Sequence, residues 1–219
     1  MNLTLIQDAQ AADEPLTLEE AKDYLRLPQE PGEDDNTVTR LIAAVREIAE
    51  TQSGRHQARK QFTLALDAFP TSQGLFTWPY ATQYTDPILY QFKVSPSYIE
   101  LLDPLVSVDS FAYKKSDETP ITMIAGTDYV ADTLKHPGIV CPPYNKTWPG
   151  EAVFPSSAVQ ITFTCGYLPS EVPTAVKQGM LLLISQLFEK RIPFETIRFV
   201  AEVPFNVTAL LSAKKLWKF

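Results

Sequence analysis

A chain of 219 residues with 45% hydrophobic content can bury roughly 70% of its unfolded surface, enough for one α+β domain or for a helical bundle carrying an inserted β subdomain. The formal net charge of −7 leaves the chain as a whole without the basic face that grips nucleic acid by counterion release, although an acidic wall can still surround DNA without holding it. The two cysteines, Cys141 and Cys165, match no zinc or redox spacing, and no run approaches the ~18 apolar residues of a membrane span. The opening MNLTLIQDAQ has neither a charged n-region nor a long apolar stretch, so it does not read as a signal peptide.

Residues 1 to 16 read as an extended arm or edge strand, with Leu3 and Leu5 before Pro15. Thr17 with Glu20 three residues on is a capping box, and Leu18, Ala21, Tyr24 and Leu25 give the following helix one apolar face that ends before Pro28. The acidic connector Glu33, Asp34, Asp35 reads as a solvated loop rather than a metal site, with Asp35 or Asn36 capping the next helix. That helix carries Val38, Leu41, Ile42, Val45, Ile48 and Ala49 at helical spacing and stops at Gly54, with Arg40, Arg46 and Glu47 on its polar side.

More than a hundred residues of strands and turns follow. QFTLALDAF alternates with Phe62, Leu64 and Leu66 on one side, and VQITFTC alternates with Val159, Ile161, Phe163 and Cys165 on one side, which makes Cys165 a buried thiol. LFTW, ILYQFKV, YIELL, VSVDSFAY, TPITMI, DYVAD and GIVC are the other candidate strands, punctuated by prolines that stiffen the connections. The last long helix starts at Pro173. Met180, Leu183, Ile184, Leu187 and Phe188 form its inner face, while Leu181 and Leu182 widen the apolar arc, so it is either central to the bundle or meets another subunit.

The chain therefore reads as a small α-helical bundle, two N-terminal helices plus one long C-terminal helix, around an antiparallel β-rich insertion. The divisions fall at 1–60 (arm and helical hairpin), 61–170 (β insertion), 171–200 (long helix) and 201–219 (tail). No phosphate-binding loop, nucleophile elbow, metalloprotease or calcium-loop pattern is present, so no catalytic residue, cofactor or metal is assigned. His56 and His136 have no partner nearby in sequence.

Three features suggest contact surfaces instead. Arg55, Arg59 and Lys60 form a basic patch that faces a channel or partner if it is more than a solvated turn. Lys214, Lys215 and Lys218 interleave with Leu216, Trp217 and Phe219, residues that a chain end seldom carries without burying them on its own domain or on a partner. From 75 to 98 the chain is dense in rings, Trp78, Tyr80, Tyr84 and Tyr90 among them, which gives an alternative reading as a carbohydrate- or ligand-binding β module.

The succession EPLTLEEAKDYLRL, TRLIAAVREIAETQSGR, QFTLALDAFP, LLDPLVSVDSFAYKK, VQITFTCGY, VPTAVKQGMLLLISQLFEKR and VPFNVTALLSAKKLWKF resembles the head–tail connector (adaptor) proteins of long-tailed bacteriophages and their prophages. The resemblance implies a structural virion protein, made in the bacterial cytoplasm, that assembles as a ring of about a dozen copies in the neck. Such a ring lies beneath the portal protein, extends the channel for passing dsDNA and offers a platform to a stopper or tail-completion protein. It implies portal docking through the C-terminal segment, here Leu210, Leu211, Leu216, Trp217 and Phe219 with the three lysines, and it makes Leu181, Leu182 and Phe188 candidates for contact between subunits. The stretch from Thr71 to Ser97 departs from the family pattern as an extra aromatic hairpin.

Overall fold

The computed structural model describes residues 2–70, 94–95, 97–150, 153–190 and 205–212. The chain is α+β and divides into two compact units. One, the β unit, is built from Met1–Asp8 and Arg59–Gly166; the other, the helical unit, from Ala9–Ala58 and Tyr167–Phe219.

Among the described residues, nine strands form the β unit: β1 (Asn2–Gln7), β2 (Lys60–Leu66), β3 (Val94–Ser95), β4 (Tyr98–Glu100), β5 (Leu105–Lys114), β6 (Pro120–Thr122), β7 (Val130–Asp132), β8 (Ile139–Cys141) and β9 (Val159–Cys165). They make a five-stranded sheet in the order β1-β2-β9-β5-β6 and a four-stranded sheet in the order β3-β4-β8-β7, with every pairing between these strands antiparallel. The first sixteen residues, read as an arm or edge strand, begin as the edge strand β1. The alternation in β2 and β9 does the positioning. With Phe62 opposite Phe163 and Leu64 opposite Ile161, the apolar residues of both strands fall on one face, and a one-residue slip would turn them all outward. Phe62 and Phe163 stack at 6.1 Å between ring centroids. The core they open continues through Phe69, Phe111, Tyr113, Tyr129 and Trp148, whose rings lie 5.1 to 6.3 Å from their neighbours. Cys165 is fully buried there as a free thiol.

The opposite face of the five-stranded sheet is polar. Thr4, Thr63, Thr162 and Ser110 align across four strands, with a 2.8 Å hydrogen bond between the Thr63 and Thr162 hydroxyls. On this face Asp109 accepts from Ser107 Oγ at 2.7 Å, Gln61 Nε2 at 2.8 Å and Thr164 Oγ1 at 2.7 Å. Partial burial would raise its pKa, but the three donors outweigh that and hold the carboxyl below its usual value.

In the helical unit, α1 (Leu18–Tyr24) starts on the capping box that its sequence predicts. Thr17 Oγ1 accepts the Glu20 N–H at 3.1 Å, and Glu20 Oε2 accepts the Thr17 N–H at 2.9 Å. Helix α2 (Asp35–Ser53) ends at Gly54, whose φ of 69° is a left-handed conformation that glycine adopts without a Cβ penalty. Its start departs from expectation. Neither Asp35 nor Asn36 is the cap, because Asp35 is already helical; its carboxylate accepts the Gly32 N–H and sits 2.8 Å from Lys22 Nζ. The hydrogen bond from Lys22, then that from Gly32, holds the Asp35 carboxyl below its usual value.

Helix α3 (Thr174–Lys190) is the spine of this unit. Its Val176, Met180, Leu183 and Ile184 bury against Val38, Ile42, Val45 and Ala49 of α2 and against Val207 and Leu211 of α4 (Phe205–Leu211). Each of these side chains larger than Ala49 contributes about 1.5–3 kcal/mol through burial. Leu181, Leu182, Leu187 and Phe188 are half-buried against the same core.

Candidate functional site

The polar residues singled out in the sequence are largely absorbed into the fold. Arg46, expected on the polar side of α2, is 2% exposed, and its Nε donates to both Glu14 carboxylate oxygens at 3.1 Å. A long side chain can cross an apolar face when a carboxylate waits at its end, and Glu14 lies 32 residues upstream where local periodicity cannot reveal it. Arg40 and Glu47 of the same helix are exposed.

The basic patch is likewise dispersed. Arg55 is half-buried, and its Nη1 donates to the Tyr167 hydroxyl at 2.9 Å. Lys60 is 8% exposed with its ammonium 3.4 Å from Asp8. Arg59 is half-buried. These residues do not present three solvated cations on one surface, because Arg55 and Lys60 are each drawn to a partner in their own unit.

Both histidines have partners that the sequence did not disclose. His56 is buried, with Nδ1 3.6 Å from Glu50 Oε2, and Glu50 in turn lies 3.5 Å from Arg46 and accepts the Gln57 N–H. This is a buried polar network at the foot of α2 that fixes the turn carrying Arg55. His136 Nδ1 lies 2.7 Å from Oδ1 of Asp103, which is fully buried while the imidazole is half exposed. A carboxylate orienting an imidazole is half of a general-base arrangement. Here the imidazole gives the buried Asp103 side chain, two residues before β5, a hydrogen-bond partner. Among the described residues no group of three or more histidine, cysteine or carboxylate side chains is placed to hold a metal ion.

Of the expected docking segment, Leu210 and Leu211 lie in α4. Leu211 is fully buried in the helical unit and Leu210 half-buried. Lys214, Lys215, Leu216, Trp217, Lys218 and Phe219 lie outside the described residues, as do Trp78, Tyr80, Tyr84 and Tyr90. Leu211 therefore anchors the tail's root rather than standing ready for a partner. Gly179 of α3 makes the room for it: a Cβ there would stand 2.9 Å from Leu211 Cδ2 and 3.2 Å from Leu210 Cβ.

Large apolar side chains exposed among the described residues gather on the β unit. Leu5 and Ile6 project from β1, and Ile124, Val130, Leu134 and Tyr144 from the β7–β8 hairpin and its flanking loops. Sequence patterning marks buried faces well. It gave no sign that these six would be left outside.

The fold of this chain is shared with chains of solved gene transfer agent particles. No protein-family model matches the chain and no curated protein matches it. Similar structures include a chain of the virion of a native gene transfer agent particle (TM-score 0.71, 18% identity), one of the neck of an empty gene transfer agent particle computed with six-fold symmetry (0.68, 19%), and one of the neck of a native particle computed with twelve-fold symmetry (0.66, 19%). Each match covers 100% of this chain and 97% of the other.

Proposed function

We propose that this chain is a structural neck component of a phage-like particle, a head–tail connector that forms a ring beneath the portal, extends the DNA channel and offers a platform to a stopper or tail-completion protein. The observation that carries the reading is likeness of fold over the full length to chains of particle necks computed with six-fold and twelve-fold symmetry. An inserted piece or a common small module would match only in part, whereas here both chains are covered almost end to end. The charge supports the reading as well. A conduit with a net of −7 per copy lets dsDNA slide, where a basic lumen would bind phosphate and slow it.

In this reading the tail is the joint to the portal. Its lysines, Lys214, Lys215 and Lys218, carry the contact's charge, and Leu216, Trp217 and Phe219 its apolar anchors. The half-buried Leu181, Leu182 and Phe188 of α3 contribute to contact between neighbouring copies. Deleting residues 214–219 should leave the chain folded, with an unchanged thermal midpoint, and abolish co-sedimentation with portal rings. Full portal binding by the truncated chain would contradict the docking role.

A further inference from the structure

Between α1 and α2 the chain runs as a strap, residues 28–34, that carries Glu30, Glu33 and Asp34 and no basic residue. Pro28 to Glu33 are all exposed. A segment of this composition has no large apolar side chain to bury, and its like charges repel one another. Gln29 Nε2 donates to the Glu19 carbonyl at a long 3.4 Å, on the exposed surface. No side-chain hydrogen bond caps α2 at Asp34. The strap and the start of α2 therefore depend on what lies beneath them.

Lys22 of α1 lies there. It is 3% exposed, and a lysine so deeply buried needs partners for its charge. Its ammonium donates to the Glu30 carbonyl at 2.7 Å and stands 2.8 Å from Asp35 Oδ1. One cation thus grips the middle of the strap and the first residue of α2. Asp35 passes that grip on: its Oδ2 accepts the Gly32 N–H at 3.2 Å, and its own N–H donates to the Gly32 carbonyl at 3.2 Å. The next bond along, from the Val38 N–H to the Asp34 carbonyl at 2.9 Å, belongs to the first turn of α2. The rest of α2 is secured separately, by Ile42, Val45 and Ala49 in the core they share with α3.

We infer that the Lys22 ammonium is an internal latch, and that the strap and the first turn of α2 open and close on it as one unit while the core of the helical unit stays shut. The two partners of the ammonium lie in different segments, Glu30 in the strap and Asp35 in the helix, so losing the cation frees both at once. Asp35 is left as a carboxylate without its counter-charge, which favours its turning out to water and breaking the two bonds to Gly32. The opening ends where apolar packing takes over. Local openings of this kind have free energies well below that of global unfolding. The inference is independent of the neck reading and stands whether or not the chain forms a ring.

The test is residue-resolved hydrogen exchange on the full chain for the wild type, Lys22→Met and Lys22→Ala. Lys22→Met keeps most of the stem and removes the charge. The amides of Gly32, Asp35 and Val38 should exchange ~10-fold faster or more, all three together, with Ile42 and Met180 unchanged. Lys22→Ala should show the same three amides accelerated. Propylammonium, which replaces the missing stem and charge, should slow them again, whereas 1-propanol should not. Unchanged exchange in Lys22→Met would overturn the latch, as would acceleration that reaches Ile42 and Met180 or a chain that no longer folds, since the opening is then global. Gly32 accelerating without Val38 would break the link between strap and helix. Rescue by 1-propanol equal to that by propylammonium would assign the effect to packing of the stem rather than to the charge.

Discussion

Gly138→Val should unfold or severely destabilise the β unit, with a loss of ~3 kcal/mol or more. Gly138 immediately precedes β8, and its carbonyl accepts the Leu101 N–H at 2.8 Å. An added Cβ would stand 2.3 Å from Leu105 Cβ and 2.7 Å from Leu105 Cδ2, and Leu105 is itself buried where β5 pairs with β9. The nearest atom belongs to the stem of that side chain, so rotation of Leu105 cannot relieve the overlap and the backbone of β5 or β8 must move. Overpacking of this kind costs ~1–3 kcal/mol for small insertions, and valine adds two further methyl groups. Against a domain stability of about 5–15 kcal/mol, the shift in urea midpoint should be large. A midpoint within experimental error of the wild type would show that the β5–β8 approach is looser than described.

Gly179→Leu should release α4 from the helical unit while α1, α2 and α3 stay folded. Two effects oppose each other at this position. Replacing a mid-helix glycine gains up to ~1 kcal/mol of helix propensity. A leucine side chain, however, must occupy the space of Leu210 and Leu211, and displacing the buried Val207 and Leu211 forfeits about 2–5 kcal/mol. Displacement wins for leucine. For Gly179→Ala the balance is close, because the nearest atom is the far end of the Leu211 side chain. Hydrogen exchange should show the α4 amides losing protection by two to three orders of magnitude in Gly179→Leu, with α2 amides unchanged. If α4 carries the tail to the portal as proposed, the same variant should lose portal attachment although the tail's own residues are intact. Retained α4 protection would mean that Gly179 does not set its seat.

The features legible in the sequence were local ones. Thr17 with Glu20, Gly54 after a helical run, and the alternation of β2 and β9 each encode structure within a few residues, and the fold carries each of them. What escaped depended on partners far apart in the chain. Arg46 sits on the polar side of its helix by periodicity, yet Glu14 draws it inside. Lys60 looks like part of a basic turn until Asp8, at the end of β1, lies against it. Asp103 and His136 are 33 residues apart and meet only through the approach of the β4–β5 and β7–β8 connections. Leu211 belonged by position to a docking tail, but Gly179, 32 residues earlier, holds the space that buries it. The exposed apolar flanks were the least legible feature, because an apolar residue in a short strand or turn carries no mark of whether its own core or another chain will cover it.

Electron microscopy of the full chain mixed with the portal protein of its own particle tests the central claim most directly. The account predicts an annulus of density stacked on the portal, rotationally symmetric, with an open axial channel and with adjacent copies in lateral contact. Portal rings that remain bare at saturating chain, or that carry solitary subunits with no lateral contact, would contradict it.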